Sequence, residues 1–172
     1  MKTPKQLLVL LVFVILATPL YAERNLDVKN ADLKDVRHSM LGFRNTLMFY
    51  IFKDQKAVLT LTVDNKDETF PVKGKVYLFE EATLDGDLAK WVNNRHSDAL
   101  FADAPKPIYS YDLPAGVCKA SSFKKTGSDK NPRNNEVYHT YQVELTVKTH
   151  SVDKKFKLSG FTDTAKVHVK GK

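Results

Sequence analysis

"TLMFYIFKDQKAVLTLTV", residues 46–63, decides the fold class. In an extended chain, Leu47, Phe49 and Ile51 point one way and Met48, Tyr50 and Phe52 the other. Both faces are therefore apolar. Phe, Tyr and Ile favour strands, and the run stops sharply at "KDQK", so residues 46–52 read as a strand with two buried faces. Past that turn, Ala57, Leu59, Leu61 and Val63 alternate with Val58, Thr60 and Thr62. This is a second strand with one core-facing side, and the two form an antiparallel hairpin.

Toward the N-terminus, "ERNLDVKNADLKDVRHS" (23–39) is polar and predicts a lead-in or one short strand at residues 26–29. Beyond the hairpin, "TFPVKGKVYLF" (69–79) resumes strand character. Pro71 lacks a ladder donor and Gly74 weakens pairing, which predicts an edge position or a bulge near 71–74. The period then changes: Leu88, Trp91 and Val92 have helical spacing, with Asp85 and Asp87 near the start, so one helical insertion is expected at about 85–102. "DAPKP" (103–107) ends it. "IYSYDL" (108–113) sets Tyr109, Tyr111 and Leu113 on one face, and residues 117–123 continue as a strand. "KKTGSDKNPRNN" (124–135) has no apolar residue and predicts an exposed loop. In "VYHTYQVELTV" (137–147), Val137, Tyr141, Val143, Leu145 and Val147 form the inward set, and strands at 155–161 and 164–169 follow a turn.

About eight strands and one helix with short connections predict a mainly β fold, an antiparallel β-sandwich with a barrel as the alternative. The Leu113-Pro114-Ala115-Gly116 turn is similar to turns of immunoglobulin-like and transthyretin-like sandwich domains. That resemblance implies fold character and carries no function.

Lys2 and Lys5, the apolar run Leu7–Leu16 and the break at Thr18 and Pro19 predict a signal peptide over residues 1–22, cleaved after Ala22. A retained N-terminal anchor is the alternative. The expected mature chain is one domain, residues 23–172, soluble and secreted or periplasmic, with no later stretch long and apolar enough to span a membrane. Its single cysteine, Cys118, permits no internal disulfide, which excludes stapled toxin and growth-factor scaffolds, and reads as a core residue. Charge is uneven: residues 23–118 carry 13 basic and 15 acidic side chains, residues 119–172 carry 12 and 5.

That basic third supplies the candidate binding residues Lys124, Lys125, Lys130, Arg133, Lys154, Lys155 and Lys157. Partners of the matching sign are an anionic polymer, a membrane surface or an acidic protein. Lys outnumbers Arg and no nucleic-acid motif is present, so the attraction is generic. Phe123 or Phe156 could add an aromatic surface beside the lysines, although Phe156 alternates with Leu158 in core fashion.

Catalysis has weaker support. "WVNNRHSDALF" (91–101) places His96, Ser97 and Asp98 in a row, but adjacent side chains diverge and cannot close a triad. Helix capping explains Ser97 and Asp98. The catalytic candidates are His96, Asp98 and His139, the last on an apolar strand face, and they define the alternative reading of a secreted hydrolase. A carrier of small apolar ligands, lined by aromatics at 47–52, 109, 111 and 141, is a further alternative. The five histidines lack metal-ligand spacing, so neither metal nor cofactor is expected. The favoured reading is an exported, non-catalytic binding or interaction domain.

Overall fold

The computed structural model describes residues 22–38, 45–66, 68–80 and 107–171. In chain order their strands are β1 (Arg24–Leu26), β2 (Leu33–His38), β3 (Asn45–Phe52), β4 (Ala57–Asp64), β5 (Val72–Leu78) and β6 (Tyr109–Asp112), then β7 (Cys118–Lys130), β8 (Val137–Val147), β9 (His150–Val152), β10 (Phe156–Leu158) and β11 (Phe161–Lys170). The helix expected at about 85–102 lies outside the described residues.

The 46–63 stretch forms the expected hairpin, β3 pairing antiparallel with β4 from Asn45↔Asp64 to Phe52↔Ala57. Its turn closes with the Lys56 N–H donating to the Lys53 carbonyl at 2.9 Å, Lys56 adopting a left-handed φ of 48°. Around this hairpin grows a five-stranded antiparallel sheet, β2-β3-β4-β5-β6. Two three-stranded sheets complete the fold: antiparallel β11-β8-β7, and β1-β10-β9, in which β1 runs parallel to β10.

One core joins all three sheets in a sandwich-like arrangement. Met48, Tyr50 and Phe52 of β3 and Ala57, Leu59, Leu61 and Val63 of β4 share it with Tyr141, Val143, Leu145 and Val147 of β8, Ala165, Val167 and Val169 of β11, and Phe156 and Leu158 of β10. The other face of the large sheet carries a second buried cluster, Leu47, Phe49, Ile51, Val58 and Phe79. The two-faced apolarity of residues 46–52 is thus real burial on both sides.

Several local expectations change: the 23–39 segment holds two strands, β1 and β2, and the outer side of β4 is buried at Val58 and Thr60. β5 keeps unbroken register to β4, so there is no bulge near 71–74; β6 pairs only with Lys75 to Leu78, which leaves Val72 and Lys73 laddered on the β4 side alone, with Pro71 just before the strand. Gly74 has a packing role: a β-carbon there would sit 2.7 Å from both Cys118 Sγ and Leu113 Cδ1, so glycine leaves room for these side chains to pack over the strand. The segment 124–135 is largely strand, because β7 continues to Lys130 along the eleven-residue template of β8, with register shifts at Ala120/Ser122 and Lys125/Gly127. Only 131–136 turns, closed by Asn131 N–H donating to the Glu136 carbonyl at 2.8 Å. Val137, at the end of that ladder, is 38% exposed and leaves the inward set. Finally, residues 150–158 form a small hairpin, β9 and β10, before β11 begins at Phe161.

Polar ties hold the sheets together where apolar packing thins. Arg24 of β1 donates from Nη1 to the Lys56 carbonyl (2.8 Å) and from Nη2 to the Phe79 carbonyl (2.9 Å), fastening the small sheet to the large one. Asp163, inward on β11, accepts from the buried Tyr50 hydroxyl at 2.6 Å and pairs with Lys34 of β2 at 2.5 Å. Burial pushes the Asp163 carboxyl up, but the bonds from Lys34, Tyr50 and the Thr164 N–H outweigh that and hold it below the ordinary carboxylate value. Because the folded value is depressed, the stabilisation is complete above the ordinary value of about 4 and is lost as pH falls through the folded one. Asp163→Ala is expected to cost about 2 kcal/mol at pH 7. Urea unfolding of both proteins at neutral and acidic pH checks this: the gap should narrow below a pH of about 4, and a pH-independent gap would show that the charge is not what clamps the sheets.

Candidate binding face

The outward face of β11-β8-β7 is built by cross-strand rows. With Tyr141, Val143 and Leu145 turned into the core, Thr140, Gln142 and Glu144 must point outward, since successive strand residues alternate. The register places Lys124 of β7 and Lys166 of β11 on either side of Gln142. Two strand spacings separate them, roughly 10 Å. The next row sets Gly127 and His168 about Thr140. A polar groove of about 550 Å³ runs over these rows, lined by Thr126, Gly127, Asp129, Thr140, Gln142, Thr164 and Lys166. At its floor Thr140 is buried, with Oγ1 and His168 Nδ1 3.1 Å apart and its carbonyl accepting from Thr126 Oγ1 at 3.2 Å.

β7 is the edge of this sheet and is exposed over most of its length. Lys119, Lys124, Lys125 and Lys130 all lie on it in solvent, and none forms an ion pair among the described residues. Phe123 is 49% exposed between them. Its ring meets Phe70 edge-on at 5.0 Å and Tyr141 at 6.3 Å. Phe70 is fully buried with a left-handed φ of 49°, a costly conformation for an aromatic residue that packing must hold in place. Tyr141 donates its hydroxyl to Glu68, which closes the cradle on the far side. The result is an apolar ring presented at the sandwich rim, flanked by unneutralised cations.

The remaining expected lysines do not join this face. Lys154 and Lys155 occupy the exposed β9–β10 turn and Lys157 is on β10. Lys155 Nζ stands 5.0 Å over the Tyr109 ring, and Tyr109 pairs with Leu78 at the far end of β5 from Phe70. A seven-residue strand separates the two groups, roughly 20 Å. Arg133 is in the exposed turn after β7, its N–H donating to Asn131 Oδ1 at 2.9 Å. Of the two aromatics considered beside the lysines, Phe156 is core, packed edge-on against Tyr111 at 5.7 Å, whereas Phe123 reaches solvent. Sequence reasoning missed the groove residues, whose convergence depends on register that no local pattern encodes.

The chemistry of the other candidates is limited. His96, Ser97 and Asp98 lie outside the described residues. His139 stands at the rim with Nδ1 2.6 Å from Ser128 Oγ. Among the described residues no carboxylate orients that imidazole, so the pair lacks the third member of a triad. His150 Nε2 lies 3.2 Å from the Tyr111 hydroxyl, with the rings nearly parallel. No three His, Cys, Asp or Glu side chains gather at metal-binding distance among the described residues. The aromatics that would line an apolar-ligand cavity, Phe49, Tyr50, Phe52 and Tyr141, are packed core. No family model, curated protein sequence or solved structure matches this chain.

Cys118 is buried against Gly74, and desolvation pushes its thiol up to about 11. At pH 8 the thiolate is scarce as well as inaccessible. A disulfide-exchange reagent is therefore expected to leave Cys118 unmodified in the folded protein and to modify it fully in urea; rapid labelling of the native state would contradict core placement.

Proposed function

We propose that this chain is an exported, non-catalytic binding domain that holds an anionic partner on β7 and the outward face of its sheet. The observation that carries the reading is the Lys124–Gln142–Lys166 row, continued along the exposed edge by Lys119, Lys125 and Lys130 without ion pairs among the described residues. Unpaired lysines clustered along one edge strand and its sheet attract anions at long range, and the polar groove beside them offers hydroxyl, amide and ammonium groups, with one carboxylate, Asp129, among its lining. Lysine heads neutralise charge without fixing planar bidentate geometry, which suits an extended polyanion better than one small anion.

Export enters from the N-terminal sequence. A basic start, the Leu7–Leu16 apolar run and the break before Ala22 support a signal peptide at residues 1–22. Among the described residues no helix is long and apolar enough to cross a membrane. Intact mass of protein recovered after export should correspond to a chain beginning at Glu23; a mass that includes residues 1–22 would replace cleavage with a retained anchor.

The binding reading is checked on an immobilised dextran sulfate matrix. Retention should be strong at low ionic strength and collapse in salt of about 0.5 M, where the screening length is only a few ångströms. Lys124→Glu with Lys166→Glu should elute at markedly lower salt, while Lys154→Glu with Lys155→Glu should shift elution less. Salt-independent retention, or equal shifts from the two pairs, would remove the β7 face as the site.

A further inference from the structure

We infer that β7 takes an acidic polypeptide as an added strand, with alternate partner side chains meeting the lysine row on one side and Phe123 on the other. This rests on the reading of β7 as the anion-binding edge and specifies its partner. The first support is the edge itself. Eleven of the thirteen residues of β7 pair with β8, and among the described residues no strand pairs with its other side; Ser121 to Thr126 and Ser128 to Lys130 are all exposed, so that side offers backbone donors and acceptors for a new ladder.

The second is the distribution of chemistry across that edge. Lys124 pairs with Gln142 and points outward, whereas Phe123 pairs with Val143 and lies on the core side. On that side Phe123 is half-exposed, while Val143 beside it is fully buried. A strand laid along β7 would turn every second side chain toward Lys119 and Lys124, and the intervening ones toward Phe123, its backing rings Phe70 and Tyr141, and Lys125, which shares that side. An alternating acidic and apolar segment meets the outward lysines by charge and packs its apolar side chains on Phe123 and the methylene stem of Lys125. A sulfated polymer satisfies only the lysines, and it has no amide groups to continue the ladder.

The third concerns the competing occupant, a second copy of β7. Edge-to-edge pairing of two identical strands would bring four lysines against four with one Asp, Asp129, on each. Like charges opposed across a ladder are destabilising, and lysines with bulges are a usual defence of sheet edges against self-association. The same lysines become attractive when the incoming strand is acidic.

The test uses the whole chain with three probes: a peptide of about ten residues alternating Glu with Val, a scrambled peptide of the same composition, and dextran sulfate. Calorimetric titration should give the alternating peptide an affinity at least about tenfold above the scrambled one. Amide exchange in residues 122–130 should slow when it binds. Phe123→Ser, checked for an unchanged unfolding midpoint, should lose about tenfold for the alternating peptide and nothing for dextran sulfate. Equal affinities for the two peptides without protection in β7, alongside retained dextran sulfate binding, overturn strand addition and leave the polyanion reading standing. Failure of all three probes to bind at low salt overturns both.

Discussion

Everything in this fold is arranged around β3, which is buried along both of its faces at once. A strand in that position must be covered twice, and the two covers differ. The inner face, Met48, Tyr50 and Phe52, meets the strands of the opposing layer and supplies the shared core. The outer face, Leu47, Phe49 and Ile51, belongs to a separate apolar cluster with Val58 and Phe79. Burial also dictates the polar chemistry of Tyr50. Its hydroxyl is held well above the ordinary phenol range, first by desolvation and then by the Asp163 carboxylate, so it stays protonated and donates. A buried hydroxyl without an acceptor is costly, and Asp163 is the acceptor that lets a tyrosine occupy the centre of the sandwich.

The exposed edge follows from the same geometry. The inward sides of β8 and β11 are buried, whereas β7 is exposed along much of its length. Its side chains reach solvent from both faces. What the core cannot cover is left to lysine, serine and threonine, with one aromatic ring as the exception.

Legibility in the sequence tracked burial asymmetry. β3, β4 and β8 declare themselves because one or both faces are apolar, and the alternation of Ala57, Leu59, Leu61 and Val63 predicts their inward side. β7 beyond Phe123 has two wet faces, so it shows no alternation and resembles a loop; its strand state comes from the neighbouring ladder of β8, which is a tertiary effect. Gly74 reads as a weak point in a strand, yet its role is set by Cys118 and Leu113, one of them forty-four positions downstream. The lysines were visible as composition. Which of them share a face was not, because Lys124 and Lys166 meet only through Gln142. The Lys34–Asp163–Tyr50 clamp likewise ties β11 to the neighbouring strands β2 and β3, more than a hundred positions away, and has no local signature.

The parallel pairing of β1 with β10 bears on the order in which the chain can fold. Arg24 finds its ladder partner at Phe156, more than a hundred residues downstream, and Leu26 finds Leu158. A strand at the start of the domain must therefore wait, unpaired, until almost the whole chain is available, while the β3–β4 hairpin can close as soon as its turn has formed. Long-range closure of this kind slows folding and leaves the chain open for longer after synthesis. The β1-β10-β9 sheet is therefore the one that waits longest, since it ties Arg24–Leu26 to the C-terminal region of the chain.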